Sequence, residues 1–159
     1  MKGNPKIIEA LNMLLADELT AISQYMVHSE MCANWGYDRL HEAIEKRAMD
    51  EMHHAEWLIG RIIFFEGAPV VSKLNPMKIG ATVVQMVTND LDAELGAIKA
   101  YNGAIGLAHE VADQATVDLL IKILKDEENH ADWSEIQISQ VEQMGLENYL
   151  SIQAGGAAS

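Results

Sequence analysis

The chain has 159 residues, 49% of them hydrophobic, and a formal net charge of −13. That is enough apolar chain for one domain with a substantial core, and the charge makes nucleic acid and anionic membranes poor partners because like charge repels. Its one cysteine, Cys32, allows no disulfide within the chain; it fits a reducing compartment and reads as a small, buried or half-buried helix residue.

Met1 to Pro5 lacks the apolar stretch of a signal peptide, and no apolar run is long enough to span a bilayer, so a cytoplasmic protein is expected. Asn4-Pro5 is a helix start, with Asn placed to cap free amides and Pro suited to the first turn. Ile7, Ile8, Leu11, Leu14, Leu15, Leu19, Ile22 and Met26 then keep helical spacing, and neither Pro nor Gly interrupts before Gly36. A second helix, capped by Asp38, is expected to run to about Glu66, where Gly67-Ala68-Pro69 ends it. The short first connection implies an antiparallel pair.

From Gly67 to about Gly80 the pattern is lost. Val70, Val71, Leu74 and Ile79 make this stretch too apolar for a free linker, so it is expected to pack along the bundle. Extended at ~3.3 Å per residue, ~13 residues reach ~43 Å, the length of a ~28-residue helix and enough for a crossover between parallel helices. A third helix is expected over roughly Ala81 to Glu110, and a fourth from a cap at Asp113 to Gly145. Leu146 to Ile152 reads as one or two further turns, and about 153–159 as a flexible tail. With no strand pattern, the expected fold is all-α, a four-helix bundle with one long crossover between helices 2 and 3 and a short fifth helix.

Two stretches carry chemistry. Asp50-Glu51-Met52-His53-His54-Ala55-Glu56-Trp57 and Asp126-Glu127-Glu128-Asn129-His130-Ala131-Asp132-Trp133 each contain Glu-x-x-His. Helix positions i and i+3 lie about 60° apart, so Glu51 and His54 aim at one point, as do Glu127 and His130. Thirty-three residues separate Glu18 from Glu51, and thirty-three separate Glu94 from Glu127; seven residues after each upstream glutamate stands a tyrosine, Tyr25 or Tyr101. The chain reads as a helical hairpin written twice. Glu18 and Glu94 lie in apolar stripes, where an acid is costly unless its charge is neutralised. One Glu from each of two helices and Glu-x-x-His from each of the others match a recurrent di-metal carboxylate arrangement. Four carboxylates carry about −4, which two divalent cations cancel, and oxygen and imidazole ligands without thiolate suit iron or manganese, with zinc able to intrude. The tyrosines are either hydrogen-bond partners of the ligands or plain core residues. His28, His41 and His109 have no partner at ligand spacing and read as surface residues.

Taken together these residues resemble bacterioferritin over essentially the whole chain. The likeness is carried by Met1-Lys2-Gly3, Glu18, Gln24-Tyr25, Asn34-Trp35-Gly36, Asp50-Glu51-Met52 with His54-Ala55, Phe65-Glu66-Gly67, Glu94, Asp126-Glu127-Glu128, His130, Asp132-Trp133 and Met144 to Leu150. The resemblance implies a hollow twenty-four-subunit homo-oligomeric cage built from two-fold dimers. It also implies oxidation of Fe²⁺ by O₂ or H₂O₂ at a di-iron ferroxidase centre and storage of the ferric mineral inside. The implied ligands are Glu18, Glu51, His54, Glu94, Glu127 and His130, with Glu51 and Glu127 bridging. Met52, whose counterpart in the repeat is Glu128, matches the family's axial ligand to haem b or a related porphyrin shared by two subunits; on its residues alone it also reads as interface packing. Asp50 corresponds to part of an inner-surface iron site whose histidine is here Lys46. A small ferredoxin is the implied electron donor for iron release. A rubrerythrin-like peroxidase with a rubredoxin domain needs four cysteines, a DNA-protecting mini-cage places its ligands between subunits, and a metal-free interaction bundle is the plainest alternative.

Overall fold

The computed structural model describes residues 1–155. Four long helices, α1 (Pro5–Asn34), α2 (Asp38–Phe64), α3 (Val83–Glu110) and α4 (Gln114–Met144), are followed by the short α5 (Leu146–Ala154). The described residues contain no strand. Asn4 caps α1 by accepting from the Lys6 amide, with Pro5 in the first turn as expected. Thr82 caps α3, which begins at Val83, two residues later than expected, and Asp113 caps α4. Asp38 is not a cap but the first residue of α2, where its charge faces the positive helix end; the cap position is Tyr37, which offers no side-chain bond. Two reversals use glycines at positive φ, Gly36 (77°) and Gly145 (84°).

Cross-chain bonds fix the topology. Gly3 donates to Phe65, so the end of α2 lies beside the start of α1 and the two run antiparallel. The connection then climbs α1 in register: Asn12 meets Ala68 and Val70, Thr20 meets Asn75, Gln24 meets Lys78, and His28 meets Gly80. Tyr25 bonds Glu94 and Tyr101 bonds Glu18, so α3 descends antiparallel to α1 and parallel to α2. The long crossover is therefore real, but it is held differently from expectation. Polar α1 side chains take up its backbone groups, which would otherwise lack partners, while Val70, Val71, Leu74 and Ile79 all stay exposed.

His28 corrects the sequence-based expectation outright. It is fully buried; its Nε2 accepts from the Gly80 amide at 3.0 Å, so Nδ1 carries the proton donated to Asp90 at 2.9 Å. Gln24 adds a second bond to the same Asp90 oxygen. Helical spacing is blind to a partner sixty residues away. His41 is half-buried against Ser29, and only His109 is exposed as expected. The expected tail starts too early: Gln153 and Ala154 belong to α5 and Gln153 is buried, while 156–159 lie outside the described residues. Tyr149 anchors α5, donating to Gln137 from a fully buried position.

The apolar core falls into two clusters. One gathers Leu11, Leu15, Leu58, Ile62, Leu120 and Ile123; the other gathers Cys32, Leu40, Ile44, Met86, Val87 and Tyr149. Gly80 sits where crossover meets α3, and a Cβ there would lie 2.4 Å from the Met86 amide nitrogen. Gly80→Ala is thus expected to destabilise by about 1–3 kcal/mol through overpacking against backbone. Gly60→Ala, on α2 with nothing within 4 Å of its Cβ, should stabilise by roughly 0.5–1 kcal/mol. Denaturant midpoints of the two variants check both signs; equal shifts would refute the close-approach argument.

Candidate metal centre

The layer between the two apolar clusters is acidic. Glu18 from α1, Glu51 and His54 from α2, Glu94 from α3, and Glu127 and His130 from α4 are all buried. Glu18, Glu94 and Glu127 each sit one turn from large apolar residues on their own helices, Leu14, Ile98 and Ile123 among them, so packing those stripes together drives the acids inward as well. Their ligand atoms form two overlapping groups, Glu18–Glu51–His54–Glu127 and Glu51–Glu94–Glu127–His130, each with its atoms within 4.8 Å of one another.

The geometry has near two-fold character. His54 Nδ1 lies 2.8 Å from Glu51 Oε2 and 3.2 Å from Glu127 Oε1; His130 Nδ1 lies 2.9 Å from Glu51 Oε1. Glu51 and Glu127 therefore stand between the two imidazoles, and Glu18 and Glu94 close the ends. Each ring turns Nδ1 to the cluster and Nε2 to an aspartate, His54 to Asp126 at 3.1 Å and His130 to Asp50 at 3.2 Å. An Nε2–H donated to a carboxylate holds each ring so that Nδ1, once its own proton leaves, aims a lone pair at the shared centre. Tyr101 donates to Glu18 and Tyr25 to Glu94, and both tyrosines are fully buried, so they are core residues and carboxylate partners at once.

Two contributors, Asp126 and Arg47, were not read from the sequence. Asp126 was passed over although, like Asp50, it directly precedes the Glu of a Glu-x-x-His step. Asp50 itself lies outside both groups, held by Lys46 at 2.9 Å and by His130. Arg47 is buried with its Nη2 2.7 Å from Glu94 Oε1; no spacing rule marks it, because its partner stands on another helix. Met52 is half-buried and belongs to neither group, while Met26 and Met49 are exposed.

In metal-free protein, protons and the Arg47 guanidinium balance the charge of the cluster. Burial, then the charges of Glu127 and Glu51, push the Glu18 carboxyl well up. Burial, a hydrogen bond with Glu127 and the charge of Glu51 do the same to Glu94. Burial works against ionising Glu127 too, but bonds from His130, His54 and Glu94 outweigh it and hold that carboxyl well below the usual range. Burial would lower both imidazoles, yet the facing carboxylates of Glu127, Glu18 and Glu51 raise His54, and those of Glu127 and Glu51 push His130 from 6.5 up to about 10. A cavity of about 330 Å³ joins this layer to the surface, lined by Glu18, Glu51, Glu94 and Glu127 within and by Asp17, Asn75, Lys78 and Asp92 among its outer residues.

A pH dependence follows for metal-free protein. His130 binds its proton more tightly folded than unfolded, so its contribution is complete below pH 6.5 and is lost as pH rises toward about 10. Glu18 and Glu94, also raised, act in the same direction. Glu127, lowered, acts oppositely, but its loss comes only as pH falls below the usual 4.5. Denaturant unfolding in the presence of a chelator should therefore show stability decreasing from pH 6.5 to 10. A flat or rising profile would contradict the proton-filled cluster.

Comparison with known proteins finds relatives over nearly the whole chain. Residues 8–144 match the ferritin-like domain family. The chain is 42% identical over 154 residues to "Bacterial ferritin" of Synechocystis sp., covering 96% of this chain and 99% of that protein. It is 38% identical over 157 residues to "Bacterioferritin" of Brucella melitensis, covering 99% and 98%. With "Bacterial ferritin" of Paramagnetospirillum magnetotacticum it shares 41% over 162 residues, covering 99% and 98%. A helical hairpin written twice, folded around paired carboxylates and similar end to end to these proteins, belongs to the ferritin family and resembles its bacterioferritin members.

Proposed function

We propose that this chain is an iron-storage ferroxidase whose di-iron ligands are Glu18, Glu51, His54, Glu94, Glu127 and His130. The observation that carries the proposal is the pair of overlapping ligand groups sharing Glu51 and Glu127, which is the pattern two adjacent cations with bridging carboxylates require. The donor set fits: four carboxylates and two imidazoles, without sulfur, suit Fe²⁺, and two divalent ions cancel the buried charge that protons otherwise balance. Oxidation of two Fe²⁺ supplies the two electrons that reduce O₂ to H₂O₂, or H₂O₂ to water.

The side chains divide the work. Acidic residues lining the cavity favour entry of cations over anions. Glu18 and Glu94 give up their protons as metal enters, while Asp126 and Asp50 keep the Nε2 hydrogens and so hold His54 and His130 with Nδ1 inward. Apolar packing above and below the layer limits water to the cavity side. The names of the relatives support iron storage; a cage of twenty-four identical subunits in the cytoplasm completes this reading, with the exposed apolar side chains of the crossover among its contact surfaces. Among the described residues no helix is long and apolar enough to cross a membrane. Asp50, paired with Lys46, is the candidate for a further inner-surface iron position, and a small ferredoxin the candidate electron donor for release.

Glu18→Ala removes one end ligand. Fe²⁺ oxidation, followed as ferric absorbance, is expected to slow by about 100-fold or more while the helical spectrum and particle size stay as in the parent. A parental rate would remove Glu18 from the centre.

Haem b or a related porphyrin is the second group in this reading. Met52 fits it: a thioether, half-buried outside the acidic layer and on the helix that carries Glu51, suits a haem iron shared across a two-fold axis. Haem would supply one-electron transfer. Met52→Leu keeps volume and apolarity, so stability should change by less than ~1.5 kcal/mol. Haem, measured as the pyridine haemochrome, is expected to be lost while Fe²⁺ oxidation continues. Unchanged haem content would exclude Met52 as its ligand, and lost particle assembly would make it a packing residue.

A further inference from the structure

The two halves of the centre repeat in sequence, but one buried charge breaks the repeat. Arg47 stands four residues before Glu51; four residues before Glu127 stands Ile123, fully buried and apolar. Arg47 Nη2 donates to Glu94 Oε1 at 2.7 Å, and Tyr25 donates to the same oxygen. That oxygen is also the one 3.7 Å from His130 Nδ1. In the other half, Tyr101 takes Glu18 Oε1, while the second oxygen, Oε2, is the one 3.7 Å from His54 Nδ1. So the Glu18 oxygen nearest its histidine carries no guanidinium, whereas the Glu94 oxygen nearest its histidine is the one Arg47 holds. The guanidinium cannot easily move away. It lies 4.8 Å from the Tyr25 ring centroid and 5.0 Å from that of Trp133, and its Nε and Nη1 are buried with no hydrogen-bond partner. Among the described residues Glu94 is thus its one hydrogen-bonded partner, and arginine does not lose its proton in a protein.

We propose that Arg47 is a positioning residue that makes the two metal sites unequal: the Glu18–His54 half fills first, and the Glu94–His130 half fills second and more weakly. The proposal rests on the divalent-metal reading of the centre. Its physical basis is competition: a second cation enters against a carboxylate that a fixed positive charge already pairs through the oxygen nearest His130.

Titration of the metal-free protein with Co²⁺, followed by its visible absorption, reads the two steps. In the parent the second step should be about tenfold or more weaker than the first. Arg47→Met removes the charge at similar volume and should narrow that gap by about tenfold, with two Co²⁺ per chain still bound; Arg47→Lys, keeping the charge, should keep the gap. A gap unchanged in the Met variant would overturn the proposal, as would equal steps in the parent. Should the Met variant fail to fold, crystals of the parent given one equivalent of Co²⁺ decide the matter by anomalous scattering. Density at the Glu18–His54 half supports the proposal, and density shared equally or at the other half overturns it. Absence of Co²⁺ from both halves would instead defeat the metal-centre reading itself.

Discussion

Everything in this fold depends on placing four carboxylates in the middle of a helix bundle. A buried, uncompensated carboxylate costs several kcal/mol, so the layer holding Glu18, Glu51, Glu94 and Glu127 must be filled by positive charge, whether protons, imidazolium or metal. The apolar core is divided around that layer into two clusters, and each cluster clamps the helices on one side of it. Their packing supplies the stability that the acidic layer consumes. The ligands stand on four different helices, so the bundle cannot relax around one acid without disturbing the others.

The internal repeat sets the geometry and also limits it. Two copies of one hairpin give two copies of glutamate, Glu-x-x-His, tyrosine and aspartate, which is why His54 faces Asp126 while His130 faces Asp50 across the bundle. Differences between the copies then stand out as the places where the halves diverge. Met52 against Glu128 lies on the outside of the site, and Arg47 against Ile123 lies inside it. The first can matter only to something beyond the bundle; the second bears on the cations within.

Most of the fold was legible because helices announce themselves locally. Unbroken apolar spacing, Asn4-Pro5, Asp113 and the Gly36 and Gly145 reversals gave helix ends to within two residues or so. The candidate ligands were legible for the same reason, since i, i+3 spacing and a duplicated offset are properties of sequence. What was missed is cross-helix. Asp90 finds His28 over sixty-two residues, and Glu94 finds Arg47 over forty-seven; neither separation has a periodicity to betray it. The crossover misled in a different way. Its valines, Leu74 and Ile79 suggested burial against the bundle, yet side-chain amides and hydroxyls of α1 hold its backbone instead and leave those apolar groups outward. Composition reports the apolar content of a segment, but not which of its groups face the bundle.

That outward face and the inward acids are two sides of one arrangement. An antiparallel α1–α2 pair can be joined by a short turn, but placing α3 parallel to α2 requires the chain to climb the full height of the bundle. Only this connection brings Glu94 opposite Tyr25 and Tyr101 opposite Glu18, so that each end carboxylate is oriented by the other half of the repeat. With a short α2–α3 turn, α3 would run the other way, and Glu94 would meet a different level of α1. The crossover is thus what converts two copies of a hairpin into one shared centre, and its hydrogen bonds to Asn12, Thr20, Gln24 and His28 set the height at which the two copies meet.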